Sequence, residues 1–149
     1  MPQVYELGRV NEAKPPFRYS AVTRVWFSDT DAQGVVYYGR YLPYFDHSRT
    51  EYHRHLGLGM QMEDGEFAMR ASTVEYVAAA RFDDLLEVFV RVTRFGTTSV
   101  TFEHAAYRLE DDVLMCTANQ TMVFVDSERK KAPIPERYRS AVEAFERGA

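Results

Sequence analysis

The sequence contains one long helical pattern, and almost every other patterned segment predicts a β-strand. Between about Gly39 and Leu56, apolar residues recur at the spacing of one helix face. Pro43 is compatible with this helix because it lies in the first turn, where the backbone N–H has no intrahelical partner to lose. One helix cannot cover both faces of a large sheet. The sequence therefore predicts an α+β fold in which the helix packs on one sheet face.

Five segments have the composition or the alternation of β-strands. A β-branched and aromatic run precedes the helix, and four strand-like segments follow it, separated by turn-forming clusters. The segments are 18–28, 67–81, 86–92, 100–106 and 113–125. Short turns link the last four, which predicts a meander of hairpins in an antiparallel sheet of five or more strands. An edge or face that the helix leaves open would pair with a second copy, so a homo-oligomer is predicted.

The chain of 149 residues has the length of a single domain. Residues 1–17 contain three prolines and no clear periodicity, which predicts an extended or loose N-terminal extension. Residues 18–149 then form the folded domain. After Pro133 and Pro135, a short amphipathic helix is predicted, with one apolar side formed by Tyr138, Val142 and Phe145.

Charge and composition exclude several classes of protein. A net charge of −4 argues against a protein whose main role is to neutralise a nucleic-acid backbone. The single cysteine, Cys116, permits no intramolecular disulfide and is predicted to be a small core residue. No run of apolar residues reaches the length of a transmembrane helix, and the N-terminus lacks the pattern of a signal peptide. These features predict a cytoplasmic protein.

The loop between the first strand and the helix holds the strongest candidates for chemistry. Asp29 and Asp31 lie two residues apart, and Gly34 permits a backbone path that a β-carbon would block. Both carboxylates could simply cap turns. However, free N–H groups near Tyr38 and Gly39, at the start of the helix, can hold an oxyanion. A carboxylate beside them can act as a general base or as a nucleophile, which suits acyl transfer from a thioester without a metal.

Residues 27–51 read F-S-D-T-D-A-Q-G-V-V-Y-Y-G-R-Y-L-P-Y-F-D-H-S-R-T-E. This run resembles the 4-hydroxybenzoyl-CoA thioesterase family and the related short-chain acyl-CoA thioesterases associated with the Tol-Pal system. The resemblance extends over about Tyr19 to Pro135. It implies the hotdog fold, in which an antiparallel sheet wraps a long helix. It also implies hydrolysis of an acyl-CoA to free acid and CoA, with no cofactor beyond the CoA of the substrate, in a homotetramer or dimer.

The same resemblance assigns roles to individual residues. It implies that Asp31 is the catalytic carboxylate and that the backbone N–H of Tyr38 binds the thioester carbonyl. Gly34 matches the family glycine, and Asp29 is interpreted as a residue that holds the loop. Arg49 matches the helix arginine, and we expect a buried ion pair or a loop-orienting group there rather than a catalyst, because an arginine on an apolar face needs a partner.

Candidate substrate contacts are aromatic or basic. Tyr37 and Tyr41, with Tyr38, suggest an aromatic-lined entrance that would suit benzoyl or short aliphatic acyl groups equally. The basic run 129–131 consists of Arg129, Lys130 and Lys131. It could bind the CoA phosphates or simply form a solvated turn, and neither interpretation is preferred. Arg94 lies in the hairpin where the benzoyl enzyme carries a pair of basic residues.

Two other readings remain open. His47, Glu51 and His55 have the spacing of one helix face, but a solvated or interface face is preferred there to a metal site. The alternative function is a binding protein of the same fold that holds acyl-CoA or acyl-carrier protein without turnover, because fold alone does not fix function.

Overall fold

A computed structural model describes residues 7–148, so residues 1–6 of the predicted extension and residue 149 lie outside the description. Seven strands form one antiparallel sheet, and the longer of two helices packs against it. The strands are β1 Gly8–Val10, β2 Tyr19–Arg24, β3 Gln61–Met62, β4 Gly65–Tyr76, β5 Leu85–Phe95, β6 Ser99–Arg108 and β7 Val113–Asp126. The helices are α1 Tyr41–His55 and α2 Glu136–Glu146. The predicted order of one long helix followed by four long strands is confirmed.

The strand order in the sheet is β1-β2-β5-β6-β7-β4-β3, so the predicted four-strand meander is wrong. Hairpins join β5 to β6 and β6 to β7, whereas β4 pairs with β3 and β7 and not with β5. The segment after β4 instead bonds to the end of β2, where the N–H of Asp83 donates to the carbonyl of Val25 at 3.0 Å. Turn-forming residues mark where a strand ends, but they do not select its partner.

Helix α1 is buried over a wider arc than its apolar pattern predicts. The apolar residue Leu42 is 38% exposed, whereas the polar residue His53 is 2% exposed. His53 is enclosed because α2 lies against this side of α1, and His53 Nε2 is 2.6 Å from the hydroxyl of Tyr138. The sheet and α2 together therefore cover a helix surface that one apolar stripe does not describe.

The buried arginine of α1 has the partner that the sequence analysis expected. Arg49 is 5% exposed, and its Nη2 lies 2.5 Å from Oδ1 of Asp46. Its Nη1 donates to Oε1 of Gln120 on β7 at 2.7 Å. The Asp46 side chain is 58% exposed, so Arg49 has an acidic partner but only its own half of the pair is buried, and the second bond fastens α1 to the middle of the sheet.

Helix α2 closes one end of the core. Tyr138 and Val142 are fully buried, which confirms the predicted apolar side. The hydroxyl of Tyr52 on α1 donates to Oε2 of Glu146 at 2.6 Å. Burying each large apolar side chain contributes about 2 kcal/mol, so α2 is an integral part of the domain.

Part of the predicted N-terminal extension packs on the sheet. Strand β1 pairs with β2, and Arg9 Nη2 lies 2.8 Å from Oε2 of Glu87 on β5. Phe17 is buried and packs on Phe89, on the sheet face away from α1. Residues 7–17 thus cover sheet surface that α1 cannot reach.

Strand β4 has one largely open edge. It pairs with β7 along its length, but on the other side β3 covers only its first two residues. Among the described residues, no strand lies beside 68–76 on that outer side. Met69 and Tyr76, within this stretch, are 42% and 50% exposed. A long exposed edge of this kind is a ready template for pairing with another strand.

Candidate active site

A closed loop connects β2 to the helical segment that contains α1. The N–H of Asp31 donates to the carbonyl of Val35 at 2.9 Å, and the N–H of Gly34 donates to the carbonyl of Asp31 at 3.0 Å. Thr30 and Val36 form a bridge at the base of the loop. Gly34 has φ +79°, in the left-handed region that favours glycine. The loop conformation therefore depends on glycine at this position.

Replacing Gly34 with alanine should reduce both stability and turnover. The added methyl group meets nothing within 4 Å, so the cost is backbone strain of about 1 kcal/mol rather than a clash. Gly57, just after α1, has φ +72° and equally open surroundings, so Gly57→Ala is a matched control. Urea unfolding should show similar losses in the two variants. Only Gly34→Ala should lower kcat, and equal kcat values would contradict a role for the loop in the reaction.

Asp29 is bound into the backbone and core around the loop. Its Oδ2 accepts hydrogen bonds from the backbone N–H of Trp26 at 2.9 Å and from the hydroxyl of Tyr44 at 2.8 Å. Burial, followed by the bond to Asp29, raises the pKa of Tyr44 far above its ordinary value, so the phenol remains a donor. These contacts agree with the structural role expected for Asp29.

Asp31 has different surroundings. Its Oδ1 accepts a hydrogen bond from the N–H of Gln33 at 2.8 Å, which fixes the carboxylate orientation. Across residues 7–148, no hydrogen bond or ion pair is found for its second oxygen. The side chain is partly exposed and lines a cleft of 350 Å³. An oriented carboxylate with one available oxygen, beside a cleft, is suited to activate water or attack an electrophile.

Apart from Gln33, aromatic and aliphatic residues form the rest of the cleft. Tyr38 and Tyr41 lie at the start of the helix, and Tyr76 lies at the end of β4. Tyr38 is the first residue of a 3₁₀ turn, Tyr38–Arg40, that leads directly into α1. The N–H of a first helical residue has no intrahelical acceptor, so it is available to a ligand. The remaining lining residues are Gln33, Val35, Val36, Val77, Ala78 and Ala79.

The predicted tyrosines take different positions. Tyr41 is 2% exposed, and its hydroxyl oxygen accepts a hydrogen bond from the N–H of Ala80 at 3.2 Å. Tyr37 is 44% exposed and its ring packs against that of Tyr38, with centroids 4.3 Å apart and the planes tilted by 36°, but it does not line the cleft. The cleft thus contains Tyr38 and Tyr41, while Tyr37 supports Tyr38 from outside.

Sequence reasoning missed Tyr76 as a cleft residue. Its hydroxyl donates to the backbone carbonyl of Tyr38 at 3.0 Å. The strand-like pattern of 67–81 placed Tyr76 on a strand, but no local signal showed that this strand reaches the start of the helix. The contact arises from packing between segments 38 residues apart.

The predicted CoA-binding cations lie away from the cleft within one chain. Arg129 pairs with Glu66, and Lys130 Nζ lies 3.5 Å from Oε2 of Glu128. The backbone of Lys131 forms an antiparallel bridge with Val125, near the end of β7. Arg94 is an exposed residue of β5. The end of β7 lies beside Gly65 at the start of β4, whereas the cleft lies beside Tyr76 at its end. These two ends are separated by roughly 35 Å of extended strand.

The histidines and acidic residues of α1 have separate partners. His47 Nε2 is 3.0 Å from the carbonyl of Val22, Glu51 pairs with Arg54, and His55 packs on Tyr19. Within residues 7–148, no group of three or more His, Cys, Asp or Glu side chains is arranged to hold a metal ion. No helix in the described part of the chain is both long and apolar enough to cross a membrane.

Comparison with known proteins identifies the family. The model of the thioesterase-like superfamily matches residues 25–142, which include the Asp31 loop, α1 and the cleft. The chain belongs to the thioesterase-like superfamily. This thioesterase-like chain therefore has the family relationship that residues 27–51 suggested.

Relatives of this thioesterase-like chain include two bacterial enzymes. The acyl-CoA thioester hydrolase YbgC of Escherichia coli O6:H1 is 38% identical over 111 residues, covering 72% of this chain and 82% of the relative. The acyl-CoA thioesterase YbgC of Haemophilus influenzae is 33% identical over 128 residues, covering 83% of this chain and 93% of the relative. A 1,4-dihydroxy-2-naphthoyl-CoA thioesterase structure from Synechocystis has a TM-score of 0.77 at 23% sequence identity, and the match covers 83% of this chain and 93% of the Synechocystis chain. This last match supports the predicted hotdog fold.

Proposed function

We propose that this protein hydrolyses acyl-CoA thioesters to the free acid and CoA. One observation carries the proposal: Asp31, with a carboxylate oxygen that has no partner among residues 7–148, shares a cleft with the Tyr38 helix start. The family relationship and the acyl-CoA thioester hydrolases among the relatives support the same substrate class.

The chemistry follows from these two parts of the cleft. Asp31 removes a proton from water as the water oxygen attacks the thioester carbonyl, or its own oxygen attacks first and water then cleaves the resulting anhydride. The N–H of Tyr38 donates to the oxygen on which negative charge develops. The C–S bond breaks, CoA leaves as the thiolate and takes up the remaining proton of the water, which restores the Asp31 carboxylate, and the acyl group leaves as the carboxylic acid. Both routes use the same residues and give the same products.

A substrate panel tests the proposed activity. Release of free thiol would be measured with acyl-CoAs of increasing aliphatic length and with benzoyl and hydroxybenzoyl CoA. Hydrolysis with a preferred acyl group supports the proposal and identifies that group. Tight binding of acyl-CoA by folded protein without thiol release would instead support the binding protein of the same fold.

The open edge of β4 supports a homodimer. A two-fold axis perpendicular to the sheet would pair two β4 strands antiparallel, so that each supplies the hydrogen bonds the other lacks. The exposed apolar side chains of Met69 and Tyr76 would then lie at the subunit boundary. A tetramer built from two such dimers, and a cytoplasmic location, remain predictions from the sequence.

Introducing a lysine on the β4 edge should break the dimer. Met69→Lys places a solvated cation where the strands would meet, which is a common protection of natural sheet edges. Val113→Lys is the matched control because Val113, at the start of β7, is similarly exposed at 39%. Light scattering during gel filtration should give the mass of one chain for Met69→Lys only. A wild-type protein with the mass of one chain would contradict the dimer.

Antiparallel pairing of β4 also brings the basic run 129–131 of the second copy towards the cleft. In such a pair, the start of one β4 lies beside the end of the other, and the basic run adjoins the start of β4. We propose that Lys130, Lys131 and Arg129, with Arg94 as a further candidate, contact the CoA phosphates from the partner subunit. Glu66 lies 2.5 Å from Arg129, whereas Glu128 lies farther from Lys130, at 3.5 Å, so the two lysines are expected to carry most of this contact.

Removing the two lysines should weaken CoA recognition without slowing the chemistry. Lys130→Ala combined with Lys131→Ala should raise KM for acyl-CoA by roughly tenfold, with kcat unchanged, because phosphate contacts are equal in ground and transition states. The matching acyl-pantetheine, which lacks the nucleotide, should show no change. Lys14→Ala, a lysine that pairs with Asp112, is the control. An equal loss with both substrates would contradict the assignment.

A further inference from the structure

We infer that Tyr76 is a positioning residue that holds the backbone of Tyr38 in place for the reaction. This inference rests on the proposed function, because it concerns the amide that we assign to the developing oxyanion. Tyr76 is distant from Asp31 and Tyr38 in sequence, and it reaches the cleft from the end of β4.

The first support is a direct hydrogen bond. The hydroxyl of Tyr76 donates to the carbonyl oxygen of Tyr38 at 3.0 Å. Tyr38 begins a 3₁₀ turn of only three residues, Tyr38–Arg40, where few internal hydrogen bonds fix the backbone. An external donor on the first carbonyl of this turn therefore restricts the orientation of the Tyr38 peptide groups.

The second support is ring packing around the same position. The ring of Tyr76 meets Tyr38 with centroids 6.3 Å apart and Tyr41 with centroids 5.7 Å apart, both close to edge-to-face. Tyr41 is itself fixed by the bond from the N–H of Ala80. Tyr76 thus contacts Tyr38, the first residue of the 3₁₀ turn, and Tyr41, the first residue of α1, and so restrains the backbone that carries the Tyr38 N–H.

The orientation of an oxyanion donor matters only when charge develops on the substrate oxygen. Loss of positioning should therefore lower kcat and leave KM nearly unchanged. A residue that contacted only the bound acyl group would change KM as well. Because one neutral hydrogen bond is removed, the expected loss in kcat is roughly fivefold to tenfold.

The test compares Tyr76→Phe with wild type. This change removes one oxygen and keeps the ring that packs on Tyr38 and Tyr41. Tyr107→Phe, on β6 and outside the cleft, is the matched control. Steady-state kinetics would be measured beside hydrogen exchange, followed by mass spectrometry, of the peptide that contains residues 37–41 in the protein without substrate. Tyr76→Phe should lower kcat, keep KM and speed exchange in this peptide, whereas Tyr107→Phe should change none of them.

Each alternative result has a distinct meaning. Unchanged exchange around Tyr38 overturns the inference whatever happens to kcat, and faster exchange with unchanged kcat overturns it too. A rise in KM alone makes Tyr76 an acyl contact and also overturns it. If wild type hydrolyses acyl-CoA but Tyr76→Phe matches it in every readout, the inference fails and the proposed function stands. If the wild-type protein does not hydrolyse any acyl-CoA, both the proposed function and the inference about Tyr76 are wrong.

Discussion

Asp31→Asn should reduce thioester hydrolysis by at least about a hundredfold, because general-base catalysis of this kind contributes that much or more. The amide of asparagine is neutral and neither accepts the proton of water nor attacks the thioester. It still presents an oxygen to the N–H of Gln33, the bond that orients the Asp31 carboxylate. The folded structure and the KM for acyl-CoA should therefore change little. Thiol release and a thermal unfolding curve, measured on the same preparation, test both statements.

The neighbouring carboxylate provides the contrast. Asp29→Ala removes the acceptor of two hydrogen bonds, from Trp26 and from the buried hydroxyl of Tyr44, and should lower the free energy of unfolding by roughly 1–3 kcal/mol. Asp31→Asn should therefore lose activity while remaining stable, whereas Asp29→Ala loses stability. Wild-type turnover in Asp31→Asn would show that Asp31 only closes the loop and that another group activates water.

Acidification should destabilise the protein strongly below about pH 6.5, because two buried histidines are neutral in the folded state. Burial, followed by the nearby charge of Arg49, lowers the pKa of both His53 and His104 to about 3. In the unfolded chain each histidine has a pKa of about 6.5. Between these values the unfolded state binds more protons, so stability is present above pH 6.5 and is lost as the pH falls. Each histidine should contribute a slope of up to about 1.4 kcal/mol per pH unit.

Urea unfolding at several pH values and fixed protein concentration measures this slope. His104→Asn keeps a polar partner for Ser48, and His53→Gln keeps one for Tyr138, but neither replacement titrates. Each should flatten the dependence of the free energy of unfolding on pH. Asn119→Ala, an exposed change that neither adds nor removes a titrating group, is the control and should leave the slope as in wild type. Equal stability of the wild-type protein at pH 7 and pH 4.5 would contradict the prediction.

Glu146 has the opposite effect on the pH dependence of the free energy of unfolding. Burial raises its pKa above the ordinary value, although the bond from Tyr52 partly offsets this effect. A carboxyl group with a raised pKa binds its proton more readily in the folded state, so this group adds stability as the pH falls through its folded pKa. The net acid slope should therefore steepen when Glu146 is replaced by glutamine, a change that keeps an oxygen acceptor for Tyr52.

The sequence determined the parts of this protein that depend on local pattern. Helical spacing and an early proline located α1 to within two residues, period-two alternation found β5 and β6, and strand-like runs between turn-forming clusters found β4 and β7. The turn-forming run from Asp29 to Gly34 predicted a loop before the helix, because short polar side chains and glycine stabilise such backbone paths. The resemblance of residues 27–51 also selected Asp31 and Tyr38, which the structure brings into one cleft.

Only the tertiary structure decided which distant segments meet. Strand β4 pairs with β7 rather than with its sequence neighbour β5, and this placement gives β4 an open edge and brings Tyr76 to Tyr38. His53 is buried because α2 folds back over α1, although its position on the helix gave no such signal. The physical reason is that alternation and helical spacing record which side of an element is buried, but not what covers it. Partner choice depends on contacts between elements far apart in sequence.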